Sequence, residues 1–308
     1  MVYKVLLFYK YCEIANAELV ANMQRELALR LGLVGRILIA DEGINGTLCG
    51  DEESCKAYQG HMKEDTLFSD INFKHSTSDF LCFKKLQVKV KNEIVFTDAD
   101  KKEFCYTKSL PKITPEELHQ ELGENKNLVL FDMRNNYESR IGRFVGAICP
   151  DIETTRELES YLVSHRDLFE GKDVVMYCTG GVRCERTSVM VNALTKVNRL
   201  RHLENGIHAY VEKYPDGHFR GRNYVFDDRV SLKINQDVLA SCYLCNVSCD
   251  LYNNCLNAIC NKHHICCDSC LEEFKGCCSQ TCIDFTDKKI VPLRPPLPSR
   301  IKREITHD

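Results

Sequence analysis

The stretch DVVMYCTGGVRCERTSVMVNALTK, residues 173–196, decides the fold. It opens with an apolar run of strand length that ends in Cys178. Thr179, Gly180, Gly181 and Val182 follow, and from Glu185 onward apolar residues recur at helical spacing. A buried strand that turns through paired glycines into a helix is the building unit of a parallel α/β sheet. The turn sets Cys178 near a helix N-terminus, where inward-pointing N–H groups and the helix dipole favour an anion. A cysteine so placed is held as thiolate, its reactive form. Arg183 adds a permanent positive charge able to grip an oxyanion or a persulfide. Cys178 is therefore the candidate nucleophile and residues 179–182 its cradle. A buried structural thiol is the competing reading, disfavoured by the conjunction of strand, glycines, arginine and helix. Cys184 reads equally as a resolving thiol for an oxidised Cys178 and as packing beneath the loop.

The flanking sequence repeats the α/β alternation. NLVLFDMR (127–134) is a strand ending near Asp132 and Arg134, and RELESYLVSHRDLF (156–169) has the pattern of one helix. RLRHLENGIHAYVEKY (199–214) begins as a strand and passes through Gly206 into a helix. Ligands of such sheets sit at the carboxyl ends of the strands, where Asp132 and Cys178 both fall. ITPEEL (113–118) marks a fresh start, with Thr114 as N-cap, Pro115 in the first turn and Glu117 closing a capping box.

Upstream, KVLLFYKY, NAELVANMQRELALRL, GRILIADEGINGTLCG, ESCKAYQGHMKED and DINFKHS read as strand, helix, strand–turn–strand, helix and strand. That βαββαβ order predicts a ferredoxin-like sandwich of helices on an antiparallel sheet. The turn DEGINGT (41–47) is either a ligand cradle or a tight connection. LCFKKLQVKVKNEIVFTDADKKEF (81–104) is a strand-rich connector. The expected division is a ferredoxin-like domain with its connector over 1–108, a parallel-sheet α/β domain over 109–235, and a cysteine-rich tail over 236–308.

Composition narrows the setting. The 308 residues carry a net charge of −3, spread so evenly that no region is a basic domain. Local basic patches, KKLQVKVK (84–91) and RPPLPSRIKRE (294–304), serve either a nucleic acid or only solvation. No long apolar window suggests a membrane span, and the N-terminus lacks signal-peptide features, so a cytoplasmic location is expected.

Eight of the 19 cysteines are scattered, and 11 crowd between Cys242 and Cys282. Such crowding reads as metal binding. Cys242/Cys245 and Cys267/Cys270 are paired two apart and suit one tetrahedral zinc. Cys255 and Cys260, with His263 and Cys282, are candidates for a second ion. The spacing supports no particular iron–sulfur cluster, and no organic cofactor motif occurs. Residues 284–308, with four prolines, read as a flexible end.

Only four residues separate Cys178 from Arg183, one fewer than in loops that cradle phosphate, so the ring suits a terminal sulfur atom. With ITPEEL, FDMR and IGRFVGA (141–147), in which Arg143 replaces a usual histidine, this segment resembles the rhodanese family. The whole order is more specific. IADEGINGT (39–47), CTGGVRCE (178–185), GRNYVFDDRV (221–230) and the cysteine-rich tail together resemble the rhodanese-type tRNA uridine-34 hydroxylases, over about residues 2–283. The resemblance implies a rhodanese-like α/β domain, formation of 5-hydroxyuridine with O2 as co-substrate, and Cys178 as the essential thiol. It gives Asp132 and Arg134 an anchoring role beneath the loop. It also implies the tRNA anticodon region as partner, for which Lys84, Lys85, Lys89, Lys91, Arg220 and Arg222 offer charge and Tyr224 and Phe226 offer stacking. A sulfurtransferase carrying a persulfide on Cys178 is the second reading. A non-enzymatic, zinc-stapled RNA-binding or redox-sensing module is the third.

Overall fold

The computed structural model describes residues 2–97, 110–124 and 128–301; the domain boundary expected near 109 lies outside them. In chain order the first elements are β1 (Tyr3–Tyr11), α1 (Ala17–Arg30), β2 (Val34–Ala40), β3 (Gly43–Gly50), α2 (Glu52–Glu64), β4 (Asn72–Ser78) and β5 (Leu86–Val90). Their sheet order, β4-β1-β3-β2-β5, is the expected ferredoxin-like sandwich extended by one parallel edge strand. Strand alternation explains its two faces. Leu6 and Phe8 of β1 point into a core with Ala21 and Ala28 of α1 and Tyr58 and Met62 of α2. Leu7, Tyr9 and Tyr11 of β1 alternate with them, and Lys74 of β4 lies opposite Leu7, so these four share the face without helices.

From Lys112 the order is β6 (Lys112–Ile113), α3 (Pro115–Glu124), β7 (Leu128–Asp132), α4 (Asn136–Ile141), β8 (Gly142–Phe144), α5 (Leu158–Ser164), β9 (Asp173–Tyr177), α6 (Val182–Leu194), β10 (Arg199–Leu203) and α7 (Gly206–Lys213). A parallel sheet runs β6-β10-β9-β7. The capping box at α3 forms as the sequence predicts: the Glu117 carboxylate accepts from the Thr114 N–H at 2.9 Å, and the Glu117 N–H donates to the Thr114 hydroxyl at 3.2 Å. The single helix expected over 156–169 is instead the two-turn α5 between two short 3-10 turns. It stops because the His165 ring turns back, bonding the Tyr161 carbonyl and stacking on the Tyr161 ring at 4.2 Å.

The last elements are β11 (Phe219–Tyr224), β12 (Ser231–Lys233), β13 (Tyr252–Asn254), β14 (His263–Ile265), α8 (Asp268–Glu273) and α9 (Gln280–Asp287). The chain divides into two compact units, Met1–Asn136 with Phe144–His218 and Tyr137–Arg143 with Phe219–Asp308. The flexible end expected from residue 284 is corrected as far as Ile301. Residues to Asp287 complete α9, and Pro298–Arg300 form a 3-10 turn. Arg300 there donates to the Cys266 carbonyl at 2.7 Å and pairs with Asp268 at 3.2 Å. No described helix is long and apolar enough to cross a membrane.

Gly43, the first residue of β3, has φ +145, and a Cβ there would overlap the Lys10 carbonyl oxygen on β1. Gly43→Ala is expected to cost about 2 kcal/mol or more in urea unfolding. Gly60→Ala in α2, where a Cβ meets open space, gains about 0.5–1 kcal/mol in the same measurement.

Candidate active site and metal clusters

β9 delivers Cys178 to the carboxyl edge of the parallel sheet, and the chain turns at once into α6. The helix starts at Val182, three residues before the first helical residue suggested by the sequence pattern, so Arg183 and Cys184 stand on its first turn. Gly181 is its N-cap at φ +97, a backbone conformation that glycine adopts without strain. The Gly181 N–H donates to the Cys178 sulfur at 3.2 Å, and the Arg183 guanidinium donates to the Thr179 hydroxyl at 3.3 Å. The first turn of α7 clamps the loop from the other side. Ile207 N–H donates to the Cys178 carbonyl at 2.9 Å and His208 N–H to that of Thr179 at 3.1 Å. Gly206, at φ +64, leaves no room for a Cβ beside the Cys178 carbonyl.

Cys178 and Cys184 are both fully buried and both free thiols. Burial works against charge on Cys178. The Cys184 hydrogen bond, the charge of Arg183 and the amides of Cys184 and Gly181 outweigh it, bringing Cys178 down to about 5. Burial and the neighbouring thiolate push Cys184 well up, so it is the donor of the pair. Beneath the strand ends, Asp132 and Arg134 are fully buried. The guanidinium donates to both carboxylate oxygens of Asp132 at 2.7–3.2 Å, and the Met133 N–H donates to the Tyr177 carbonyl at 2.8 Å.

The helix-free face of the N-terminal sheet covers this loop, which periodicity alone did not reveal. A Cβ on Gly180 would lie 2.9 Å from Leu7 Cδ2, and one on Gly181 would lie 2.8 Å from the Tyr9 hydroxyl. Tyr9 donates to the Glu185 carboxylate at 3.0 Å, and Tyr11 donates to the Val182 carbonyl at 3.2 Å. The Lys74 ammonium stands 4.6 Å from the centroid of the Tyr9 ring. The turn expected as a possible ligand cradle is committed internally. Glu42 accepts from the Ile94 N–H at 3.0 Å and faces Arg186 of α6 at 3.7 Å, while the Asn45 amide donates to the Ile94 carbonyl at 3.0 Å. Glu93 reaches the same Arg186 at 3.5 Å.

In the tail, Cys242, Cys245, Cys267 and Cys270 converge as the two pairs predict, with all four sulfurs within 4.8 Å of one another. Cys255 and Cys260 join a second cluster of the same compactness, completed by Cys278 and Cys282. His263 is not part of it: its ring stacks on Tyr252 at 4.2 Å and bonds the Asn254 side chain at 2.7 Å. Cys278 is the member of this cluster that spacing does not single out, hidden in a Cys-Cys pair; its only signal is the four-residue step to Cys282, about one helical turn. Sulfur separations of 3.6–3.8 Å in the two clusters match the roughly 3.8 Å edge of a tetrahedral Zn–S4 centre. The donor sets therefore fit a metal ion, and zinc is compatible with both.

Of the proposed nucleic-acid contacts, Lys84, Lys85, Lys89 and Lys91 are exposed on or beside the edge strand β5. Arg220 pairs with Asp237 at 3.4 Å, and Arg222 donates to the Ser231 hydroxyl at 2.8 Å. Tyr224 packs among Tyr137, Tyr252 and His263, whereas Phe226 is 50% exposed. Arg143 donates to the Ser139 carbonyl at 3.1 Å.

Three family models match successive parts of the chain: a UPF0176 acylphosphatase like domain over residues 3–94, a Rhodanese-like domain over 114–213 and a Rhodanase C-terminal domain over 220–283. Whole-length relatives are similar as well. A tRNA uridine(34) hydroxylase of Cytophaga hutchinsonii is 35% identical, covering 93% of this chain and 92% of that protein. One of Chlamydia felis is 37% identical over 91% and 87%, and one of Chlamydia trachomatis is 38% identical over 91% and 86%.

The two cysteines supply a direct test of the loop. Thiolate absorbance, taken as the difference between each chain and its Cys178→Ala counterpart, is expected to persist on acidification and fade through pH about 5. In Cys184→Ala the midpoint climbs by about one pH unit or more, whereas Cys184→Ser, which keeps a donor, holds it near the wild-type value.

Proposed function

The chain belongs to the tRNA uridine(34) hydroxylase family, and from that premise we propose that it converts uridine 34 of tRNA to 5-hydroxyuridine with Cys178 as the essential thiol. The observation that carries this reading is the buried loop in which Gly181, Cys184 and Arg183 together favour a thiolate at Cys178. A thiolate is a soft nucleophile suited to the electron-poor C6 of a uracil ring, and its attack makes C5 electron-rich. O2 is the co-substrate, and the anticodon region is the part of tRNA presented. Asp132 and Arg134 hold the strand end below the loop, and Thr179 orients Arg183. The exposed lysines along β5 supply non-specific attraction to phosphate. The cytoplasm, where tRNA resides, is the expected setting.

The short loop favours a second reading, sulfur transfer through a persulfide on Cys178. Nucleosides of tRNA from cells lacking the protein, restored with wild type or Cys178→Ala and analysed by mass spectrometry, separate the two. Hydroxylation predicts that 5-hydroxyuridine derivatives disappear and return only with wild type. Changed thiolated nucleosides with intact 5-hydroxyuridine derivatives would favour sulfur transfer. No change in either class would leave only the binding-module reading.

Zinc is assigned to both four-cysteine clusters, in closed shells that steady the fold and leave no position for substrate. Elemental analysis is expected to find two zinc ions per chain, one for each cluster. Cys267→Ser and Cys278→Ser each lose one ion. Cys277→Ser retains both, because Cys277 belongs to neither cluster and faces Thr286 at 3.9 Å.

A further inference from the structure

Lys74 is a lysine in an unusual position. Its residue is 9% exposed, and its Nζ has no hydrogen-bond partner among the described residues. Burying an ammonium without a partner costs stability, and an apolar side chain of similar length would fill the same space. Its position is set firmly by β4, where it lies opposite Leu7. Its stem borders the loop: a Cβ on Gly180 would come 3.9 Å from Lys74 Cδ. The amine itself lies against the Tyr9 ring. The groups whose charges reach it come from every side, namely Cys178 of the loop, Glu185 of α6, Lys112 of β6 and Glu204 beyond β10. A cation without a hydrogen-bond partner, set against the loop that leads into a helix N-terminus and within reach of the Cys178 charge, fits a ligand atom that becomes negative there.

We propose that Lys74 is a catalytic residue whose ammonium donates a hydrogen bond to the C4 oxygen of uridine 34 as the Cys178 sulfur adds to C6. This rests on the reading of Cys178 as the thiol that meets uridine 34. In the step, the thiolate lone pair forms the S–C6 bond, the C5=C6 π bond opens, and its electron pair moves onto the C4 oxygen. No electron leaves the adduct, so no oxidant is needed at this stage. C5 then takes a proton from water, and reversal returns uridine with that hydrogen exchanged. Lys74 supplies the donor for the enolate oxygen, the role of an oxyanion hole. Burial lowers Lys74 to about 8, while Cys178, Glu185 and Glu204 hold it charged against the repulsion of Lys112. The ammonium is therefore present below that pH and lost as pH rises through it.

The test uses the full-length protein and an unmodified tRNA transcript in deuterated water, with deuterium at C5 of uridine 34 read by mass spectrometry of the digested RNA. Wild type is expected to exchange that hydrogen, and Cys178→Ala to abolish exchange. Lys74→Met is expected to slow exchange about 100-fold with tRNA affinity kept within about threefold. Its thermal stability should equal or exceed that of wild type, since a partnerless amine has been removed. Lys74→Arg restores exchange and, unlike wild type, shows no decline above pH 8, because arginine stays charged. Wild-type exchange rates in Lys74→Met would overturn the role of Lys74 and leave hydroxylation standing. Absence of exchange in wild type, with 5-hydroxyuridine still dependent on Cys178 in cells, would overturn addition at C6 and the proposal with it. If 5-hydroxyuridine does not depend on Cys178, the underlying reading falls first.

Discussion

A negative charge on the sulfur of Cys178, closed off from water, is the constraint around which the first compact unit is arranged. An uncompensated buried ion costs several kcal/mol, so the loop has to supply donors in place of solvent. It does so within seven residues, using the Gly181 and Cys184 amides, the Cys184 thiol and the Arg183 guanidinium. Each donor demands something of the backbone. The Gly181 N–H reaches the sulfur only because the residue adopts a left-handed turn, and Cys184 reaches it only because α6 begins at Val182. Asp132 and Arg134 neutralise each other beneath, so that neither is left as an unpaired charge below the loop.

The same rule governs the surfaces that meet above the loop. Arg186 on α6 is nearly inaccessible to water, and the carboxylates of Glu42 and Glu93 approach it from separate segments of the N-terminal part. Burial of one arginine thus ties three stretches of chain together. It also accounts for DEGINGT, whose glutamate and asparagine hold neighbouring chain in place of a ligand.

Much of this was legible in the sequence because it is local. The strand, paired glycines, arginine and helix lie within one short segment, and the capping box at Thr114 and the two Cys-x2-Cys pairs depend on spacing alone. The cover over the loop was not legible. Tyr9, Tyr11 and Lys74 read as ordinary alternating strand residues, and the partners of the two tyrosines lie more than a hundred positions away. Periodicity tells which residues share a face of a sheet and is silent about what lies against it. Cys278 and His263 were misjudged for a related reason. Histidine is a common zinc ligand, but β14 carries His263 onto the Tyr252 ring, and the adjacent pair Cys277 and Cys278 gives no indication of which thiol faces the cluster. The break in the helix at His165 likewise arises from a side chain folding back on its own turn, invisible to an apolar pattern.

The complete burial of Cys178 has a kinetic consequence. In the closed arrangement Leu7 and Tyr9 occupy the space against the loop glycines, and two tyrosine hydrogen bonds fasten the sheet to α6. If Cys178 meets a nucleobase as proposed, the base would reach the sulfur only where those fastenings are released. Turnover on that reading would carry the cost of an opening step, and in the arrangement described burial shields the sulfur from stray oxidants and disulfide exchange.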